Sequence, residues 1–207
     1  MRAACAVTGA ELAAKTAWSR RVRRVGGFIQ VAFAAFWLIR GSLNIEDETG
    51  LALAAAFTAV VAAVVVYGIR TTAGAAPRPV SPEGKHIERA VTIATVVQLA
   101  ASFAAPAIVI AVGQSDWLLP SIAVTIGPLL LWLDHRVDVP RYRLAGWVLI
   151  VGPLLLVAFM SGTALAATTG IAAGAILLGI ASAGFHDLSR TRAARVPGRV
   201  LPAGAQP

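Results

Sequence analysis

Six apolar stretches punctuate the chain, at about positions 25–43, 51–69, 87–112, 117–133, 144–160 and 165–185, with hardly a charge in any of them. At a rise of about 1.5 Å per residue, a helix of about 20 residues crosses a hydrocarbon layer about 30 Å thick. A bilayer offers no water to a free amide or carbonyl, so such a stretch must satisfy its own backbone and is helical. The pattern predicts an all-α polytopic membrane protein of six transmembrane helices. A soluble fold is excluded by scale, because 207 residues cannot wrap six such runs in polar surface. Hydrophobic residues at 57% and charged ones at 14%, against about half and about a quarter in soluble domains, agree with that exclusion.

Orientation follows from arginine and lysine. The segment before the first run holds six of them (Arg2, Lys15, Arg20, Arg21, Arg23, Arg24), the stretch 70–89 four, 136–143 three and the C-terminal segment four, so 17 of 18 fall on one side of an alternating chain. The exception, Arg40, stands near Glu46, Asp47 and Glu48. Basic loops stay on the cytoplasmic side, so both termini are expected in the cytoplasm and three hairpins outside. The formal net charge of +8 is thereby an orientation signal, and the expected partner is the lipid bilayer, with no nucleic acid. Arginine outnumbers lysine 16 to 2 in a chain rich in Ala, Gly, Val and Pro, which points to a GC-rich bacterium and its cytoplasmic membrane.

Residues 1–24 lack the apolar core of a cleaved secretory leader. Were residues 11–25 helical, Ala14, Trp18, Val22 and Val25 would line one side among Lys15 and four arginines, an arrangement suited to the membrane surface; the alternative is a basic flank that only sets orientation. The stretch 71–86, with Gly74, Pro77, Pro79, Pro82 and Gly84, reads as a breaker-rich linker. It divides the membrane domain 25–186 into a first hairpin, 25–70, and a four-helix remainder, 87–186. The Arg-rich segment 187–207, with Pro197, Gly198, Pro202 and Gly204, is expected to be disordered. Cys5 stands alone, which leaves no disulfide framework and no cysteine metal site. Only four residues, 161–164, separate the fifth and sixth runs, so those two helices are expected to be antiparallel neighbours.

Between Pro120 and Gly146 an apolar run ends in Asp134-His135-Arg136-Val137-Asp138 and Pro140-Arg141-Tyr142-Arg143, the densest group of ionisable side chains outside the terminal segments. Gly127-Pro128-Leu129-Leu130-Leu131 in the fourth run is echoed by Gly152-Pro153-Leu154-Leu155-Leu156 in the fifth, in the sense an inverted repeat would take. With its Pro-Leu-Leu-Leu, Val-Asp-Val-Pro-Arg-Tyr and following glycine, this segment resembles one in uncharacterised small six-span bacterial membrane proteins. The resemblance covers about one eighth of the chain and implies a six-helix membrane fold without implying an activity.

In a bilayer, small and polar side chains are expected to face other helices. Gly26, Gln30, Phe33, Trp37, Arg40 and Asn44 share one arc of the first span; Glu88, Thr92, Thr95, Gln98, Ser102 and Pro106 share one of the third. Ser121, Thr125, Pro128, Trp132 and His135 do so in the fourth span, and Thr168, Ala172, Ala175, Gly179, Ser182 and His186 in the sixth. These stripes are either packing seams or a polar path, for which Gln30, Arg40, Gln98, Ser102, Thr125 and Trp132 are the candidates. Spans two and five lack such stripes and are expected to face lipid, a second copy in a homo-oligomer, or a partner membrane protein. Gly170 and Gly174 have the small-residue pairing spacing, common by chance in so Ala/Gly-rich a chain.

Glu88, Asp134, His135 and His186 map to the inner ends of spans three, four and six, with His86 just outside. They form either a cytoplasmic proton or metal gate, with Glu88 beside Asp134 or His135, or ordinary solvated helix ends in which Asp134 pairs with Arg136. Arg40 is read as an interfacial ion-pair partner of Glu46, Asp47 or Glu48, or as an anion clamp. No phosphate loop, Ser/His/Asp set, metal-ligand spacing or paired intramembrane carboxylate occurs, so no enzyme, cofactor or metal is expected. The functional expectation is a small-solute permease or accessory transport subunit, with a non-catalytic membrane scaffold or regulator as the alternative.

Overall fold

A computed structural model describes residues 22–73, 82–137 and 141–193. They are all-α. A π-helical turn, Val22–Gly26, leads into α1 (Gly27–Ser42), followed by α2 (Glu48–Thr72), α3 (Pro82–Ala111), a 3₁₀ turn at Ser115–Trp117, α4 (Leu118–Val137), α5 (Arg141–Phe159) and α6 (Gly162–Ala193). Each of the six helices has a stretch long and apolar enough to cross a membrane.

Local chemistry sets the boundaries. Asp47 caps α2, its carboxylate accepting from the Thr49 amide at 3.0 Å while its own backbone takes φ 119°. Pro82 opens α3, where its missing amide costs nothing. Asp116, in the turn before α4, accepts from the Gly162 amide at 2.9 Å, so its charge sits at the N-terminus of α6 and ties two loops together.

Packing centres on the first and last helices, which share the most extensive contact. Their crossing is backbone on backbone. A Cβ at Gly41 would lie 2.7 Å from the Ile171 amide nitrogen, and one at Gly170 would lie 2.6 Å from the Gly41 Cα. Gly174 similarly faces Leu38, with 2.9 Å from its would-be Cβ to the Leu38 nitrogen, so both glycines of the pairing motif serve this crossing. A second close crossing joins α4 to α5, where a Cβ at Gly146 would stand 2.9 Å from the Gly127 carbonyl. Between the two pairs lies a filled apolar core that includes Ala34 and Trp37 of α1, Ile126 and Leu130 of α4, Leu149 of α5 and Leu177 of α6. Phe185, fully buried, closes a smaller cluster against α1 and α2.

The periphery differs from expectation. In their most apolar stretches 50% of α6 and 44% of α1 are buried, α4 and α5 match at 28%, α2 falls to 11% and α3 to 0%. The third helix, whose polar stripe predicts an inward face, is therefore the most exposed, and α5 is as buried as α4. α1 leans on α6 more than on its hairpin partner α2. α6 continues helically past His186 to Ala193, pinned by an Arg141–Asp187 ion pair and by Leu188 against the Phe185 cluster. The repeated Gly-Pro-Leu-Leu-Leu segments occupy unlike places: Gly127 is in the α4/α5 crossing with Pro128 exposed, while Gly152 meets only Val148 and Pro153 is buried. The expected surface segment 11–25, the linker breakers 74–81 and the tail beyond 193 lie outside the described residues, apart from residues 22–25.

Candidate functional site

Polar side chains in apolar helices usually have their hydrogen bonds met, and here most hydroxyls meet them within their own helix, the buried Thr169 hydroxyl being an exception. Ser42 donates to the Leu38 carbonyl at 2.8 Å, Thr95 to Val91 at 2.8 Å, Ser121 to Leu118 at 2.8 Å and Ser182 to Leu178 at 2.7 Å. A hydroxyl so satisfied needs no neighbour. This explains why the buried faces are out of phase with the polar stripes. On α6, Ala172, Ala175, Gly179 and His186 are exposed, and the buried face runs through Gly170, Ala173, Leu177 and Phe185. On α1, Gln30 and Trp37 are buried while Phe33 and Arg40 of the same stripe are exposed.

One polar cluster does cross between helices. Gln98 of α3 donates through Nε2 to Ser102 Oγ at 3.0 Å and to Thr125 Oγ1 of α4 at 3.2 Å, and the two hydroxyl oxygens are 3.2 Å apart. Thr125 in turn donates to the Ile122 carbonyl at 2.7 Å. Prolines adjoin it on both helices: Pro106 has no amide to give the Ser102 carbonyl, and Pro128 none for that of Val124. The cluster is half-buried on the outer edge of the bundle. It holds no titratable group, so it can bind neutral polar groups but cannot transfer protons.

The other members of the sequence-derived path stand elsewhere. Gln30 lies on the buried face of α1, whose main partners are α6 and α2, while α3 has α4 as its extensive partner. Trp132 is half-buried on α4, two turns from Thr125 along the helix. Arg40 is exposed near the α1 terminus, its carbonyl accepting from Asn44 Nδ2 at 2.7 Å, and it makes no ion pair with Glu46, Asp47 or Glu48.

At the opposite end of the bundle, two ion pairs link α4, α5 and α6. Asp134, 5% exposed in its side chain, accepts from Arg143 Nε at 2.8 Å, and its other oxygen, Oδ1, is buried without a donor among the described residues. Arg141 Nη2 meets Asp187 Oδ2 at 2.5 Å. Asp134 thus pairs with Arg143, nine positions on, and its inward face turns His135, the next residue, outward: His135 and His186 are both exposed. The side chains of Glu88 and His86 lie outside the described residues. Among the described residues no group of three His, Cys, Asp or Glu side chains could hold a metal ion. Charge spacing alone does not reveal these pairings, because a helix end offers several arginines at similar depth and packing selects one.

A groove of about 350 Å³ also opens between α5 and α6, lined by Arg141, Leu144 and Val148 on one side and Ile176, Gly179 and Ala183 on the other. No family model matches the chain, and no curated protein or solved structure matches it either.

Proposed function

We propose that the chain is a multi-pass subunit of a small-solute transport assembly in the bacterial cytoplasmic membrane, and that a second copy completes a polar path along α3. The observation that carries this reading is the Gln98–Ser102–Thr125 cluster on a helix with none of its apolar stretch buried. The bundle centre is filled by Trp37, Leu130, Leu149 and Leu177, so a route for solute lies at the edge, where amide and hydroxyl groups can replace water around a neutral polar molecule. Thr92 and Thr95 extend the cluster by two turns along the exposed side of α3.

The test pairs transport with proximity. In proteoliposomes challenged with labelled polyols, amides and sugars, Gln98→Leu combined with Thr125→Val is expected to lower uptake at least tenfold while the thermal midpoint stays near that of the parent, since each interhelical bond contributes only about 0.6 kcal/mol. Thr95→Cys, in a Cys5→Ser background, is expected to cross-link to its counterpart in native membranes. Parental uptake in the double variant, together with an uncross-linked Thr95→Cys protein, would reduce the cluster to a packing seam.

A further inference from the structure

We infer that the α5/α6 groove is a binding site for one anionic phospholipid, with its phosphate at Arg141 and the start of an acyl chain between the helices. The groove, about 350 Å³, lies within the range of about 300–1,000 Å³ usual for ligand sites. Arg141 and Ala183 stand at its charged end, and Val148 and Ile176 lie about 10 Å deeper, by the rise of two antiparallel helices. That is the layout of a lipid: one charged group at the interface, then hydrocarbon. Leu144 is 71% exposed and Val148 41%, so the groove is open at its side to the surrounding membrane.

Three features argue for an occupant carrying negative charge. Arg141 spends Nη2 on Asp187, but its side chain is still 35% exposed and lines the groove, so its charge faces whatever enters there. A guanidinium at the mouth of a groove is a natural partner for a phosphate oxygen. Arg141 is also the first residue of α5, so the positive end of that helix dipole adds to its field. Finally, Arg24, Arg70, Arg89, Arg143 and Arg190 belong to the same end of the bundle, and basic sites between transmembrane helices at a membrane surface select anionic headgroups.

Gly179 points the same way. A Cβ at Gly179 would meet nothing within 4 Å, so no packing within the chain demands glycine there. In mid-helix glycine is otherwise unfavourable, and its place on the α6 side of an open groove leaves room for another molecule to approach the backbone. The small-residue stripe of α6 is thus turned toward the membrane at the groove.

Gly179→Leu puts a bulky side chain into the groove from a position where a Cβ meets nothing within 4 Å, which makes it the primary test. The purified, delipidated full chain in detergent is titrated with phosphatidylglycerol or phosphatidylcholine, and bound lipid is counted by native mass spectrometry; glycerol phosphate serves as a headgroup without chains. Expected are one retained phosphatidylglycerol per chain, at least tenfold weaker phosphatidylcholine, no retention of glycerol phosphate, and a tenfold or greater loss of phosphatidylglycerol in Gly179→Leu. Arg141→Gln paired with Asp187→Asn, which leaves no carboxylate stranded, is expected to bring phosphatidylglycerol down to the phosphatidylcholine level. Parental phosphatidylglycerol retention in Gly179→Leu overturns the site. Equal retention of both lipids by the parent overturns its anionic selectivity, and retention of glycerol phosphate alone overturns the role of the acyl chain.

Discussion

Phe185 is held between two glycines. A Cβ at Gly27 would come within 2.8 Å of its ring and one at Gly68 within 2.7 Å, while Phe28 packs against it with ring centroids 5.0 Å apart. One aromatic side chain therefore fixes α1, α2 and α6 at a common point, and the ring, enclosed on both sides, has no room to retreat. Gly68→Ala is expected to lower the thermal midpoint in detergent, since inserting even one methyl into a well-packed site costs about 1–3 kcal/mol. Gly152→Ala is the matched control: its Cβ would sit 4.0 Å from Val148, an ordinary contact, and the change is expected to be neutral or to raise stability by about 0.4–1 kcal/mol. Equal midpoints for the two variants would show that the Phe185 node does not hold the three helices together.

At the scale of whole helices, the existence and approximate limits of all six could be read from apolar run length, because the bilayer requirement is a matter of counting residues. Which face of each helix is buried could not. The reading from polar stripes assumes that a hydroxyl needs a neighbouring helix, yet Ser42, Thr95, Ser121 and Ser182 bond to carbonyls of their own helices, so polarity loses its value as a phase marker. Glycine carried the information instead, but Gly170 and Gly174 could not be told from the other glycines until α1 was seen to lie on them. The exception is Gln98, whose long amide cannot be satisfied as simply and which does find Thr125 across a helix boundary. The dominance of the α1/α6 crossing has a direct consequence. Co-expressed fragments 1–76 and 77–207 are expected to copurify through a tag on either one, and Gly170→Val in the second fragment is expected to abolish that recovery, because the branched side chain would be driven into the backbone of Gly41. Unchanged recovery with Gly170→Val would move the anchoring contact away from this crossing.

For the molecule as a whole, the two ends of the bundle carry opposite chemistry, and this makes orientation testable. The Asp116–Gly162 hydrogen bond puts the turn before α4 and the start of α6 at one end, where the α1/α2 loop contributes Glu46, Asp47 and Glu48 and where Arg40 is the one described basic residue. The Arg143–Asp134 and Arg141–Asp187 pairs mark the other end, shared by Arg24, Arg70, Arg89 and Arg190. Insertion retains basic segments in the cytoplasm, so the arginine-rich end should be cytoplasmic and both termini with it. In a Cys5→Ser background, single cysteines at Glu46, Ser115 and Thr163 are expected to react with a membrane-impermeant maleimide added to intact cells, and those at Gly74 and Val137 only after permeabilisation. The hydrogen bond couples two of these probes: Ser115 and Thr163 must report the same side whichever way the protein faces, so a split result would contradict the fold, and a concordant cytoplasmic result would contradict only the orientation. Since Glu46 follows the first span, Ser115 the third and Thr163 the fifth, agreement among all three would further exclude any arrangement in which a single one of α2 to α5 fails to cross.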